Sequence, residues 1–589
     1  MAERKKQSLI NGALVLSIAI TLVKLTGVLF KLYITNKIGL EAKGYFATAY
    51  NIYTPIYSIA LAGLPTAVAK MVAEKAVQGK YRDVKNVFNV SLQLFTLFGI
   101  IGTLILVLIA YPYAVTSDTV DALPAILTVA PSLFFCCIMS CYRGYYQGLR
   151  NMNPTSVSQV IEAAGKLIFG YVFMNVVLLG GVEFADKIPV LSSLVTHTSS
   201  AYVAAAAISG VTIGSAAGFI YVVMKYRLDK KSIPAELIEQ SPESQDKKTL
   251  RKELLVMAFP FAISSLVFNL TTFIDGWTIQ NRLMYVLESN FDAVAAMYPK
   301  IIEVEQYTVL QAEAFKSYLF GAYDTVLEIK NLVPTFTIAF GSAALPILSE
   351  LWFSGKKAEV GENIKRVLRL ILLMALPAGM GMFALAEEIL MLIYGSNPKI
   401  VPAIPYVAPI LMLYGISVCF LALAQPVTSM LQAIDKPNVP LKSMAVGAIV
   451  KIVANMILVS IPGINIQGAV VGSFLSNIVM VFWGFIVLKK ATGVKYDMKN
   501  TVLKPLICAC LAGAGAWGAH RIFTLIFTSI DLAGELAINK LSTIIAVGAA
   551  VAVYAVALLA TKTLQKSDVI MLPKGEKIAK VLEKYRLLG

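Results

Sequence analysis

Residues 85–110 read KNVFNVSLQLFTLFGIIGTLILVLIA, and after Lys85 no charged residue interrupts them. As a helix rising 1.5 Å per residue the run is roughly 39 Å long, more than the ~30 Å hydrocarbon core of a bilayer. It is predicted to be a transmembrane helix. A strand of an outer-membrane barrel is excluded, because such strands alternate apolar and polar residues over only about ten positions. Working outward, similar blocks recur at 9–34, 45–71, 122–147, 155–180, 198–225, 252–282, 318–349, 364–386, 401–431, 440–461, 464–488, 501–529 and 541–562, about fourteen spans in all. The composition agrees: 57% of the 589 residues are apolar and 15% charged, where a soluble chain would carry about 25% charged residues. An all-α polytopic membrane protein is expected.

Charge on the connections sets its orientation. The even-numbered connections carry Lys75, Lys80, Arg82 and Lys85, then Arg143 and Arg150, the bases between Lys225 and Lys252, Lys356 and Lys357, and finally Lys489, Lys490, Lys495 and Lys499. Roughly 35 Lys and Arg outside the spans fall on the side of the N-terminus and about 7 on the other, and cytoplasmic loops are the ones rich in bases. Both termini are expected in the cytoplasm. The first span follows Arg4-Lys5-Lys6 but is too long for a signal-peptide core and lacks a small-residue cleavage site, so it is expected to stay as a helix. A net charge of +16 could suit nucleic acid, yet the bases are dispersed over short loops with no aromatic platform between them. Anionic lipid heads are the expected counterpart, and nucleic acid is not.

The chain also resembles itself. QGLRNMNPTSVSQVIEAAGK (147–166) is similar to QAIDKPNVPLKSMAVGAIVK (432–451), Ala62-Gly63-Leu64-Pro65 to Ala343-Ala344-Leu345-Pro346, and Lys24 and Lys31 are matched at equal spacing by Asp275 and Arg282. The offset is about 251 residues at the start and about 281 to 285 thereafter, so the second copy holds roughly 30 extra residues between its first two helices. Six spans per copy is even, which gives both copies the same direction through the bilayer. This predicts two six-helix lobes related by a pseudo-two-fold axis along the membrane normal, with a central site between them. The lobes are assigned to 1–228 and 251–498, joined by a cytoplasmic linker at 229–250, with two further helices at 499–565 and a basic amphipathic tail at 566–589. The extra segment, 284–317, is rich in Glu and Asp, and Phe291, Val294, Tyr298 and Ile301 recur there at helical spacing, predicting a surface helix.

Several charges fall inside apolar blocks. Lys24 is deep in the first span, Lys31 two turns on, and Lys166 and Lys451 about three turns into their helices. A lysine facing lipid at a helix centre costs about 2.5–3.5 kcal/mol, so these residues are expected to face a wet interior. Lys24, Lys31, Arg282, Lys166 and Lys451 are therefore candidates to bind an anion, most naturally a phosphate or pyrophosphate. Asp275 would couple a cation or pair with Lys24, and Glu162, one turn before Lys166, could pair with it. The competing reading is an internal salt-bridge network or lysines reaching back to an interface.

Other chemistries lack their residues. Cys136, Cys137, Cys141, Cys419, Cys508 and Cys510 lie in apolar blocks without CxxC spacing, and His197 and His520 are the only histidines, too few for a multi-histidine metal site. No glycine-rich phosphate loop and no GxSxG nucleophile is present. No enzyme activity, cofactor or metal is expected, and energy could come from the membrane potential or a monovalent cation.

Gly44-Tyr45-Phe46, the run Ala62 to Lys70, the segment Tyr142-Arg143-Gly144-Tyr145-Tyr146-Gln147-Gly148 continuing to Pro154-Thr155, and Phe268-Asn269-Leu270 with Asp275, Arg282 and Leu283 resemble the polysaccharide-exporter branch of the multidrug/oligosaccharidyl-lipid/polysaccharide superfamily. Within it the chain is most similar to the group of the stage V sporulation protein B and YtgP, relatives of the lipid II flippases. The resemblance implies a fourteen-helix flippase that carries an undecaprenyl-pyrophosphate-linked saccharide to the outer leaflet of the bacterial cytoplasmic membrane by alternating access, working as a monomer. The lipid II flippases proper carry Arg-x-x-Gly-x-x-Arg-Asp in the first helix; here Lys24 and Gly27 match its beginning, while Phe30 and Lys31 replace the second Arg and the Asp. Two alternatives stand beside it: a drug/cation antiporter of the same superfamily, which would want a carboxylate where Lys24 stands, and a membrane glycosyltransferase using Glu303 and Glu305 as an external acidic pair.

Overall fold

The computed structural model describes residues 9–58, 64–180, 199–229, 235–494, 496–532, 534–566, 569, 580 and 582–584. His197 and nearly all of the expected tail helix fall outside them. The described chain is helical, in the order α1 (Leu9–Ser58), α2 (Leu64–Val77), α3 (Tyr81–Thr116), α4 (Leu123–Val129), α5 (Ser132–Gly148), α6 (Asn153–Gly180), α7 (Ser199–Leu228), α8 (Ala235–Glu239), α9 (Lys247–Ala295), α10 (Pro299–Glu305), α11 (Ala312–Lys330), α12 (Leu332–Phe353), α13 (Lys357–Ala384), α14 (Ala386–Tyr394), α15 (Ile404–Ala433), α16 (Asn438–Leu458), α17 (Gly468–Thr492), α18 (Lys504–Ser529) and α19 (Glu535–Ala560). Among the described residues ten helical segments are long and apolar enough to cross a membrane. The four other predicted spans fall on α1, α2, α9 and the α11–α12 pair, each partly outside the described side chains or interrupted by polar residues.

The connection expected at 35–44 is not a loop. α1 continues through it and bends at Gly39, whose φ of 80° and ψ of 176° interrupt the helical path. Only glycine holds that conformation without a Cβ clash. Two polar residues just before the bend turn their side chains back onto the helix, which favours bending: Thr35 donates to the Lys31 carbonyl at 2.9 Å and Asn36 to that of Leu32 at 3.3 Å.

The chain forms two compact units. The first comprises 1–284 with 311–321, the second 285–310 with 322–589. In the first, α5 packs on α2, α3 and α7, and α6 on α7; in the second, α15 packs on α12, α13 and α17, and α16 on α17. This is the same arrangement twice, as the duplication implied. Close approaches repeat too. A methyl group at Gly99 of α3 would sit 3.1 Å from the Phe134 Cα of α5, and one at Gly379 of α13 would sit 2.4 Å from the Gly415 carbonyl of α15, about 280 positions later on both sides. By ancestry α9 begins the second copy, but by packing its 275–284 portion belongs to the first unit: Thr48 of α1 and Thr119 both donate to the Gln280 side chain, at 2.9 and 3.0 Å.

The described part of the linker, from 235 on, is docked. Arg82 donates to the carbonyls of Ile238 and Glu239 at 3.0 and 3.1 Å, Asp83 accepts from the Ser244 hydroxyl at 2.6 Å and the Gln245 amide at 2.9 Å, and Lys75 donates to Gln245 at 2.8 Å. The 284–317 segment differs from expectation as well. Its apolar stripe is shared between the end of α9 and α10, with a turn between, and Val294, Tyr298 and Ile301 are buried. Tyr298 donates to Asn465 at 2.5 Å, so the stripe is a docking face and not a free surface helix.

Candidate functional site

The bend at Gly39 decides what the first helix can bring together. Lys31 and Tyr50 are nineteen residues apart, which on a straight helix is about 28 Å. In the structure the Lys31 ammonium is 5.3 Å from the centre of the Tyr50 ring. Lys166 arrives from α6, donates to the Tyr50 hydroxyl, and lies 4.9 Å from the Tyr50 ring centre and 5.6 Å from that of Phe30. Two sequence-predicted cations thus share one half-buried phenol, held by cation–π attraction.

Lys166 is positioned by glycine packing behind it. A methyl group at Gly210 of α7 would come within 2.4 Å of the Lys166 carbonyl, and one at Gly214 within 2.6 Å of its amide nitrogen. α6 and α7 therefore touch backbone to backbone, the small-residue packing common between membrane helices. Lys451 in α16 has an analogous support, its carbonyl lying 3.3 Å from where a Gly472 methyl would be. Lys451 is half-buried and belongs to the second unit.

Glu162 does not pair with Lys166. Its carboxylate accepts from Arg143 at 2.9 Å, and the Arg143 Nε donates to Ser158 at 2.9 Å. Arg143 is only 4% exposed and Glu162 19%, so the guanidinium's fork takes the partner that an i,i+4 reading gave to the lysine. The Tyr-Arg-Gly-Tyr-Tyr-Gln-Gly segment is thereby accounted for: Arg143 meets Glu162, and Gly144 and Gly148 let α5 close on Val68 and Val72 of α2. Among the described residues no carboxylate lies at hydrogen-bond distance from Lys166.

Asp275 is buried in α9, near the point where Gly276 faces Asn51 of α1. Arg282, two turns on, donates to Asn281 at 2.8 Å. Lys24 lies in α1, but its side chain is outside the described residues, so its expected pairing with Asp275 is as well. Of the tyrosines beside this site, Tyr45 and Tyr53 are core residues, while Tyr50 and Tyr57 retain some exposure.

Buried cations occur that the sequence reading passed over. Lys43 is fully buried with its ammonium 5.2 Å from the Phe46 ring. Lys316, also fully buried, donates to the Ser117 carbonyl at 2.7 Å, to the Asp118 carbonyl and to the Thr119 hydroxyl at 2.9 Å, satisfying carbonyls at the end of α3. Beside it Glu313 accepts from the Asp121 amide at 3.3 Å, and its carboxyl is held above the usual range by burial first, with Lys316 opposing and Asp121 reinforcing. In the second unit Lys330 lies 4.0 Å from the Tyr414 ring, whose hydroxyl is 2.8 Å from that of Tyr323. Lys43 and Lys316 sit in segments read as connections, which hid them; Lys330, charged within a predicted span, could have been found.

A model of the family described as "Polysaccharide biosynthesis protein" matches residues 9–352, and one described as "Lipid II flippase MurJ" matches residues 332–534. Among curated proteins, the lipid II flippase MurJ of Bacillus subtilis is 25% identical over 85% of this chain and 87% of that protein. The stage V sporulation protein B of the same organism is 24% identical over 96% of this chain and 98% of that protein. Among solved structures, an inward closed lipid II flippase MurJ aligns with a TM-score of 0.59 at 13% identity, covering 92% of this chain and 98% of that one. An inward-facing multidrug resistance MATE transporter aligns equally well, at 0.59 and 13%, over 82% of this chain and 99% of that one. At such identities the structural likeness speaks for the fold alone.

Proposed function

The chain belongs to the polysaccharide biosynthesis protein family, and from that premise we propose that it is a flippase for a lipid-linked saccharide carrying a pyrophosphate, lipid II or a related cell-wall or surface-polysaccharide precursor. The observation that carries the reading is the pair of ammonium groups, Lys31 and Lys166, gathered at Tyr50 inside a helical membrane unit. A pyrophosphate offers anionic oxygens to both at once, and charge-assisted bonds are the strong ones. Lys24, two turns before Lys31 in the sequence, and Arg282 are assigned the same anion role, and Lys451 a like role within the second unit. Asp275 is the coupling or charge-pairing carboxylate, with the membrane potential or a monovalent cation as the energy source.

In this reading the protein is a transporter of the bacterial cytoplasmic membrane, a monomer with both termini inside, moving its substrate to the outer leaflet by alternating access. A drug/cation antiporter would need carboxylates where this site has lysines. The test is translocation of lipid II and of a teichoic or capsular precursor by protein reconstituted in liposomes. Lys31→Ala and Lys166→Ala are each expected to slow it at least about tenfold, the loss of one charged hydrogen bond of about 1.5–3 kcal/mol. Undiminished rates in both variants and in Lys24→Ala overturn the site. Failure to move any pyrophosphate-linked lipid overturns the function.

A further inference from the structure

The second unit contains a histidine that the anion site does not use. His520 lies in α18, its side chain 7% exposed, and among the described residues neither ring nitrogen has a hydrogen-bond partner. Unpaired buried polar atoms are costly, so this arrangement needs a reason. Its nearest ionic neighbour is Glu388 of α14, 18% exposed, with a carboxylate oxygen 3.8 Å from the imidazole Nδ1. Thr524, one turn further along α18 on the same face, also carries an oxygen buried without a partner.

The charged residues Arg521 of α18 and Lys540 of α19 are engaged elsewhere. Arg521 stacks on Trp517 at 5.8 Å, Lys540 of α19 donates to Ser396 at 2.5 Å, and α13 presents Met380 and Ala384 to α18 at Gly513. Glu387, the residue before Glu388, lines a cleft of about 430 Å³ together with Met391, Lys300 and Glu303. Successive residues of a helix point about 100° apart, so α14 presents Glu387 and Met391 to the cleft and Glu388 toward α18. One helix separates the cleft from the imidazole.

We infer that His520 and Glu388 form a proton-binding site between α18 and α14. Proton uptake would turn this loose 3.8 Å contact into a charge-assisted hydrogen bond tying α14 to α18. Histidine suits this because a modest change of surroundings moves its charge state across the physiological range. The site is separate from the Lys31–Lys166 pair and does not depend on what the protein carries.

The chain has only two histidines, which makes the test direct. Full-length His197→Gln protein, labelled with ¹⁵N-histidine and placed in nanodiscs, yields one imidazole whose nitrogen shifts report its protonation. The ring is expected to become cationic reversibly as pH falls from 8 to 5. Glu388→Gln is expected to move the midpoint down by about one unit or more, a tenfold weaker proton affinity, while Glu387→Gln moves it by less than about a third of that. A ring that stays neutral down to pH 5 overturns the proposal, as does a midpoint unchanged by Glu388→Gln. If Glu388→Gln does not hold its fold by gel filtration, Glu388→Asp takes its place: a shifted midpoint supports the pairing and an identical one refutes it.

Discussion

Replacing Gly39 with alanine isolates the cost of bending α1. Nothing lies within 4 Å of the position a Cβ would occupy there, so the added methyl meets no neighbour. The whole penalty is in the backbone, because φ of 80° with ψ of 176° lies in a region that L side chains rarely enter. Holding such a residue there costs about 1–3 kcal/mol, a factor of roughly 5 to 150 in the population that keeps the bend. On a straight helix the Lys31 and Tyr50 backbones would stand about 28 Å apart, beyond the combined reach of the two side chains, so the 5.3 Å contact would be lost. Spin labels flanking the bend, read by pulsed electron–electron resonance, should show a longer distance population in Gly39→Ala, and liposome translocation should fall in proportion. Gly381→Ala is the control, since that glycine also has open space but ordinary helical backbone, and it should cost nothing or gain up to about 1 kcal/mol in helix propensity. Wild-type distances and rates in Gly39→Ala would refute the reasoning.

Three further outcomes are expected. Gly210→Ala forces a methyl to within 2.4 Å of the Lys166 carbonyl and should cost about 1–3 kcal/mol, seen as a lower Tm in detergent, with slower translocation because α6 is displaced. Arg143→Met should destabilise by about 3–5 kcal/mol by stranding Glu162, whereas Arg143→Met with Glu162→Leu should recover most of the loss; a double variant as unstable as the single one would show that the pair is not the unit that matters. Glu313 has its carboxyl raised from the usual value near 4.5, chiefly by burial, so its protonated form favours the fold below that value and this advantage is lost as pH rises through the raised one. Glu313→Gln should therefore raise stability at neutral pH, with the gain disappearing below about pH 4.5, as measured by thermal unfolding across pH.

What the sequence disclosed was whatever depends on composition and period. Long uncharged runs such as 91–110 have no other use than crossing a bilayer, and the 147–166 and 432–451 match foretold the doubled packing pattern. Directions in space were hidden. Gly39 looks like any glycine in a polar joint, and nothing local says that its φ is positive and that Lys31 returns to Tyr50. Glu162 sits at the right interval for Lys166, yet Arg143, on another helix, has the better geometry, and only tertiary packing reveals it. The 284–317 stripe was read as one surface helix, but it breaks at 296–298 and is buried, because periodicity shows neither a turn nor what a face is laid on.

The docked linker changes how motion would travel through the first unit. A free chain of 22 residues has an average span of roughly 25 Å and would let its two ends move independently. Here hydrogen bonds donated by Arg82 and Lys75 and accepted by Asp83 fasten its described part up to Gln245, two residues before α9 begins. The effective tether is then a couple of residues, and the start of α9 takes its position from the α2–α3 corner. Length added before Ile238 should be absorbed silently, whereas a residue added or removed between Gln245 and Lys247 would re-aim the helix that carries Asp275 and Arg282.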